Sequence, residues 1–269
     1  MRKIIRHCDK APQTCRTLPL IATADADPAS LRIVDEWLAT EPVDTPPRDG
    51  LYLTADSNGL ALCRALRPPV CMRAEFLRGA QGFRMARQRH QREAIARACG
   101  VGGGSCPRVV DATAGLGRDA FILAATGAQI ILLERSAVVY ALLVDGLRRA
   151  AGGGAEDIVS RMTAIHIEAV EWLRGHGTDE KPDTVYLDPM YKGRRRAAAG
   201  KELALLQALL GPPESDAELF EAARTAACNR VVVKRHRRAP ALAGITPDYR
   251  LTGRSTRFDV YRANGGKVG

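Results

Sequence analysis

The chain has 269 residues, with 40 Lys+Arg against 30 Asp+Glu and a formal net charge of +10. Apolar residues make up 46% and charged residues 26%, globular proportions that exclude a disordered or fibrous protein. That length supplies core enough for one large domain, or for a medium domain with a smaller one. The positive surplus points to a polyanionic partner, although a net value does not say where the charge lies. No run approaches the ~20 apolar residues of a membrane span, and MRKIIRHCDK turns to charge before a signal-peptide core forms. The cysteines (Cys8, Cys15, Cys63, Cys71, Cys99, Cys106 and Cys228) are scattered and form no CxxC pair. They predict neither a disulfide framework nor a structural metal, and hence a soluble, reduced, cytoplasmic protein that binds no membrane.

Residues 1–80 are read as a small α+β domain. LPLIAT (18–23) is a strand. Asp27-Pro28 offers an N-cap followed by proline at the first helical position, opening a helix whose Leu31, Val34, Trp37 and Leu38 share a face. LYLTAD and LALCRAL flank Ser57-Asn58-Gly59, a hairpin signal. From about residue 90 strands and helices alternate. RVVDATA, AQIILLE, MTAIHI, TVYLDP and RVVVKR are strands. The helices are RDAFILAAT, SAVVYALLVDGLRRA (stopped by Gly152-Gly153-Gly154), 168–174, 199–210 and 215–227. YRLT and RFDVYRA close the chain as an antiparallel hairpin. Short apolar strands separated by helices imply a Rossmann-like, doubly wound α/β sheet over residues 81–269, with ligands at the carboxyl ends of its strands.

The sharpest segment is Val109-Val110-Asp111-Ala112-Thr113-Ala114-Gly115-Leu116-Gly117-Arg118-Asp119. Glycines just past a buried strand let the backbone pass close to a ligand and turn into a helix whose N–H groups face it. Glu134 ends the next strand, where a carboxylate accepts from ribose hydroxyls. The pattern fits an S-adenosylmethionine site, a dinucleotide fingerprint or a plain tight turn. Two features favour the methyl donor: Asp111 inside the strand, and Asp188-Pro189-Met190-Tyr191 after the fourth strand, a variant of the (D/N)PP(Y/F) motif of amino-group methyltransferases. An aromatic amine delocalises its lone pair into the ring. Hydrogen bonds from its N–H groups to Asp188 orient that pair for attack, and Tyr191 offers a stacking surface for the base.

DATAGLGRDAF, LLER, YLDPMY, VVVKR and RFDVY together resemble the bacterial small-subunit ribosomal RNA guanine-N2 methyltransferases of the RsmJ type, over roughly residues 75–262. The resemblance implies a class I methyltransferase that uses S-adenosylmethionine and acts on guanine 1516 of 16S rRNA, free or within the small subunit or its precursor. Position by position it implies donor contacts at Arg118, Asp119, Glu134, Arg135, Glu168 and Ala169, beside Asp111, Gly115 and Gly117 of the turn. Asp188 falls at the junction of donor and base, with Pro189 and Tyr191 completing the catalytic loop. Relatives carry a serine pair where this chain has Glu168-Ala169, and a glycine-rich stretch near residues 87–91. Another amino-group methyltransferase (adenine-N6 or glutamine-amide) and a non-catalytic RNA-binding assembly factor are the alternatives.

Three basic windows are candidate RNA contacts: Arg84, Arg87, Arg89 and Arg92; Lys192, Arg194, Arg195 and Arg196; and Lys234, Arg235, Arg237 and Arg238. They hold twelve of the forty basic residues and no acidic one, so the surplus is local. Phosphate contacts of this kind position RNA, while Asp188 and Tyr191 read and hold the base. His166, Trp37 and Trp172 are read as structural.

Overall fold

The computed structural model describes residues 5–6, 17–78, 94–175, 181–189, 197–210, 215–253 and 256–263. In chain order the strands are β1 (Ile5–Arg6), β2 (Leu18–Ala22), β3 (Thr40–Pro42), β4 (Leu51–Asp56), β5 (Gly59–Arg64), β6 (Val70–Met72), β7 (Arg108–Asp111), β8 (Gln129–Glu134), β9 (Met162–His166), β10 (Thr184–Leu187), β11 (Arg230–His236), β12 (Tyr249–Thr252) and β13 (Thr256–Arg262). The helices are α1 (Pro28–Trp37), α2 (Ala94–Cys99), α3 (Arg118–Ala125), α4 (Ala137–Ala150), α5 (Glu156–Val159), α6 (Ala169–Gly175), α7 (Ala197–Leu210) and α8 (Asp216–Ala226).

An eight-stranded sheet of order β1-β9-β8-β7-β10-β11-β13-β12 carries the expected alternation. It is parallel from β1 to β11, and β13 and β12 add the expected antiparallel hairpin at one edge. Its parallel strands are buried on both faces, as their unbroken apolar runs require. Val109, Leu132, Tyr186 and Val232 face α3 and α4, whereas Val110, Leu133, Val185 and Val233 face α6 and α8. From β7 the chain winds outward through β8 and β9, then returns to place β10 on the other side of β7. The carboxyl ends of β7 and β10 are therefore the topological switch point, where open α/β sheets bind ligands.

A five-stranded sheet of order β3-β2-β4-β5-β6 covers α4 on its side away from the main sheet. The hairpin forms as expected, with Asp56 opposite Gly59 and a two-residue turn of Ser57 and Asn58. Asp27 caps α1 by accepting from the Ala29 N–H. The expected face of α1 packs on the core, with Val34 fully buried and Leu31, Trp37 and Leu38 partly so; Ser30 and Ile33 are buried beside it, and Ser30 bonds Asp145. The helix over 137–150 ends at its glycines as expected: a π-type turn over Ala151–Ala155 breaks at Gly154 (φ 98°), and α5 follows. One expectation is corrected. Cys63 and Cys71 are joined by a disulfide, because the β5–β6 register sets them opposite each other, which their separation of eight residues does not reveal.

The two sheets share one core. Leu18, Leu53, Leu60 and Leu62 of the smaller sheet pack in the same cluster as Phe121, Leu142 and Leu143. A buried polar network crosses the same contact. Asp145, wholly buried on α4, accepts from Ser30 Oγ (2.5 Å), the Leu60 N–H (3.1 Å) and Arg149 Nε (2.9 Å). Arg148 pairs with Asp27 as well as Asp145, and Arg149 reaches Glu75. The strand β1 pairs with β9, so the first described residues belong to the larger sheet. The expected boundary at residue 80 lies outside the described residues.

Candidate active site

The switch point collects five polar side chains on the α3 face of the sheet. Asp111 is the last residue of β7, Asp119 lies in the first turn of α3, Tyr186 and Asp188 alternate along and just past β10, and Lys234 is on β11. Residues two apart in a strand share a face, which is why Tyr186 and Asp188 point the same way. The register pairs Leu187 with Val233, so Asp188 follows beside Lys234. Lys234 Nζ lies 2.6 Å from Asp119 Oδ2 and 2.9 Å from Asp188 Oδ2, bridging the helix to the loop after β10. Tyr186 donates its hydroxyl to the same Asp119 oxygen at 2.7 Å. Thr113 Oγ1 accepts from the Asp188 N–H at 2.6 Å and fixes the start of the loop after β10 against the glycine turn.

Asp111 is almost wholly buried, and burial, with the nearby charges of Asp119 and Asp188 adding to it, pushes its carboxyl up to about 8. Hydrogen bonding from the Thr113 N–H opposes that rise without cancelling it. Burial likewise raises the Tyr186 phenol well above its usual value, and Asp119 adds to the rise. Burial works against the charge on Lys234, but Asp188 and Asp119 outweigh it and hold the ammonium above the ordinary lysine range.

On the other side of β7, Glu134 accepts from the Gly115 N–H (3.0 Å) and the Ser136 N–H (2.8 Å), one on each oxygen. Burial raises its carboxyl, although these bonds favour the ionised form. Each carboxylate oxygen has two lone pairs, so capacity remains to accept a pair of ribose hydroxyls. The two glycines of the turn have different reasons to be glycine. Gly115 has φ 52°, and among the described residues a Cβ there would meet only the Thr113 carbonyl at 3.9 Å, so these residues leave the space above it open. Gly117 has φ 72°, and a Cβ would lie 2.6 Å from Leu143 Cδ1, so its bareness serves the packing of α4. Arg118 begins α3 and is exposed. Farther along the edge Arg135 pairs with Glu168 at 3.9 Å, and Glu168 accepts from the Ala169 N–H at 3.1 Å. His166 is structural in its contacts. Its Nε2 bonds the Arg135 carbonyl at 2.9 Å, and its ring packs against both Trp37 and Tyr140. An open cradle over Gly115, flanked by Glu134 and ending at Asp188, fits a nucleoside-bearing methyl donor.

The family model described as putative SAM-dependent methyltransferase matches residues 37–263. The chain belongs to this family. A ribosomal RNA small subunit methyltransferase J from Alkalilimnicola ehrlichii is 45% identical over 87% of this chain and 89% of its own length. The protein of the same name from Cellvibrio japonicus is 39% identical over 91% of this chain and 97% of its own. The crystal structure of a SAM-dependent methyltransferase from Neisseria gonorrhoeae superposes with a TM-score of 0.74, at 34% identity, covering 93% of this chain and 97% of that one. The methyl donor is accordingly S-adenosylmethionine, and the chain is an enzyme.

Of the expected site residues, the structure gathers Asp111, Gly115, Gly117, Arg118, Asp119, Glu134, Arg135, Glu168, Ala169, Asp188 and Pro189 along one edge of the main sheet. One expectation of RNA contact is corrected: Arg235, on the face of β11 opposite Lys234, is buried and donates to the Pro240 carbonyl. Lys234 is paired with two carboxylates at the switch point. Both look like part of a charge run in the sequence, but strand alternation turns one into the pocket and the other into packing. Tyr191, Lys192, Arg194, Arg195, Arg196, Arg84 and Arg87 lie outside the described residues. Thr113 and Tyr186 were not among the residues expected from the sequence. The period-two relation of Tyr186 to Asp188 was the available signal for the second.

Proposed function

We propose that the chain transfers a methyl group to the exocyclic N2 of a guanine in 16S rRNA, with guanine 1516 the position the resemblance implies. The observation that carries this reading is the joining of the two halves of the site: Lys234 and Thr113 tie Asp188, at the base side, to the glycine turn and Asp119, at the donor side. The donor supplies an electrophilic sulfonium methyl when bound. Glu134 and the Gly115 turn hold its nucleoside end, and Asp119, Arg135 and Glu168 flank it. Asp188 accepts hydrogen bonds from the amine, which orients the nitrogen lone pair out of conjugation and stabilises the positive charge that develops there. Pro189 stiffens the loop, and Tyr191 stacks on the extruded base, a contact worth ~1–3 kcal/mol. Lys192, Arg194, Arg195 and Arg196, next in sequence to that loop, and Arg84 and Arg87 supply phosphate contacts that position the RNA within the small subunit or its precursor.

The test is methylation of small subunits and of naked 16S rRNA with labelled donor, followed by nucleoside analysis. N2-methylguanosine is the expected product, and label in adenosine or protein instead refutes the reading. Asp188→Ala lowers the rate by roughly 100-fold or more while RNA affinity stays near wild type. Unchanged turnover removes Asp188 from the mechanism.

A further inference from the structure

The mechanism above uses Asp188 and leaves the cation beside it without a task toward the base. Lys234 is an odd residue to find there for structural reasons alone. It sits on an inner strand of the sheet, its charge faces a partly desolvated pocket, and its two carboxylate partners come from different elements. An ammonium has three N–H donors and no acceptor. Asp119 takes one and Asp188 a second, at 2.6 and 2.9 Å. The side chain keeps 28% of its surface exposed and that of Asp188 32%, so both groups reach the open edge where a base would enter.

The order of these groups matches one nucleobase edge. Guanine presents, side by side, two donors (N2–H and N1–H) and one acceptor (O6), whereas adenine presents a donor and an acceptor in other positions. A carboxylate followed at 2.9 Å by an ammonium is the complement of the guanine order. A compact ammonium on a flexible stem supplies a point donor, which suits a single carbonyl oxygen better than a guanidinium fork would. The Asp119 carboxylate, itself fixed by Tyr186, anchors the ammonium from behind so that it does not collapse wholly onto Asp188.

We propose that Lys234 is a specificity-determining residue whose third N–H donates to O6 of the target guanine while Asp188 accepts from the N1–H and N2–H of the same base. This rests on the guanine-N2 reading given above, and it adds the reason that guanine rather than another amine-bearing base is accepted. A site built to bond a substrate group discriminates strongly against an analogue lacking it, because its own buried polar group is then left unpaired.

The experiment compares full-length wild type with Lys234→Met on 16S rRNA assembled by ligation, carrying either guanine or 2-aminopurine at the target position. 2-Aminopurine keeps the reacting amine but lacks both O6 and the N1–H, so the change in the ratio on replacing the lysine, not the wild-type ratio alone, reports the O6 contact. Both kcat/KM and the RNA Kd, the latter in the presence of S-adenosylhomocysteine, are measured. Wild type is expected to favour guanine by roughly 10- to 100-fold or more, the worth of a hydrogen bond from a charged donor. Lys234→Met loses a similar factor on guanine and little further on 2-aminopurine, so the guanine to 2-aminopurine ratio narrows at least about 10-fold. A merely structural lysine lowers both rates and leaves that ratio where it was, which overturns the proposal. Should the variant fail to bind S-adenosylhomocysteine by calorimetry, wild type alone decides: equal rates on the two RNAs overturn it. Label on guanine N2 with an unmoved ratio defeats only the Lys234 assignment, whereas label on another base or on protein defeats the underlying reading as well.

Discussion

Replacing Asp145 by Asn tests whether the smaller sheet and the methyltransferase sheet fold as one body. The carboxylate is fully buried and takes bonds from Ser30, Leu60 and Arg149, with Arg148 at 3.4 Å. The amide keeps the shape, removes the charge, and presents a donor to groups that are themselves donors. Breaking a buried ion pair by removing one partner costs about 3–5 kcal/mol. Arg148 retains Asp27 and Arg149 retains Glu75, so the lower end applies, about 3 kcal/mol. For a chain of this size 1 kcal/mol moves the melting temperature by about 2–4 °C, which gives an expected fall of about 6–12 °C by calorimetry. The melt should stay a single transition, because the core that surrounds Asp145 runs through both sheets. Glu75→Gln serves as control, since its partly exposed pair with Arg149 is worth about 1 kcal/mol or less. A fall under about 2 °C for Asp145→Asn, or two resolved transitions in wild type, would refute the reasoning.

Asp111 makes a prediction in pH. Its folded-state carboxyl is raised to about 8, so between its usual unfolded value of ~3.9 and 8 the native state holds a proton that the unfolded chain has released. On this group's account stability falls as pH rises through that window, and Asp111→Asn abolishes the dependence. The melting temperature of the variant relative to wild type therefore climbs from pH 5 to 8, and parallel curves would contradict this. Substituting Arg194, Arg195 and Arg196 together by Ala weakens RNA binding and reduces the slope of log K against log salt by about one for each phosphate left unneutralised. An unchanged slope would mark that run as a solvated loop.

Local patterns carried much of the fold into the sequence. Alternation of apolar runs with amphipathic stretches is a short-range property, and so the parallel sheet, the closing hairpin, the Asp27 cap and the Gly115–Gly117 turn could be read before any tertiary pairing was known. Asp188 was legible for the same reason, as part of a contiguous motif with its own chemistry. Long-range partners were not. The disulfide of Cys63 with Cys71 depends on strand register, and the burial of Asp145 depends on residues 115 and 85 positions away.

The basic surplus shows the division most clearly. The sequence determined that the excess charge is confined to a few windows, because counting residues needs no coordinates. Only the tertiary structure decided what the window after VVVKR does. There Arg237 and Arg238 stay exposed, Arg235 is packed away, and Lys234 is drawn between Asp119 and Asp188. Neighbours in a strand point to opposite faces, and the acids that claim Lys234 lie 115 and 46 residues earlier. A run of like charge in the chain is thus divided, by pleat and pairing, into one residue of the site, one of the core and two of the surface.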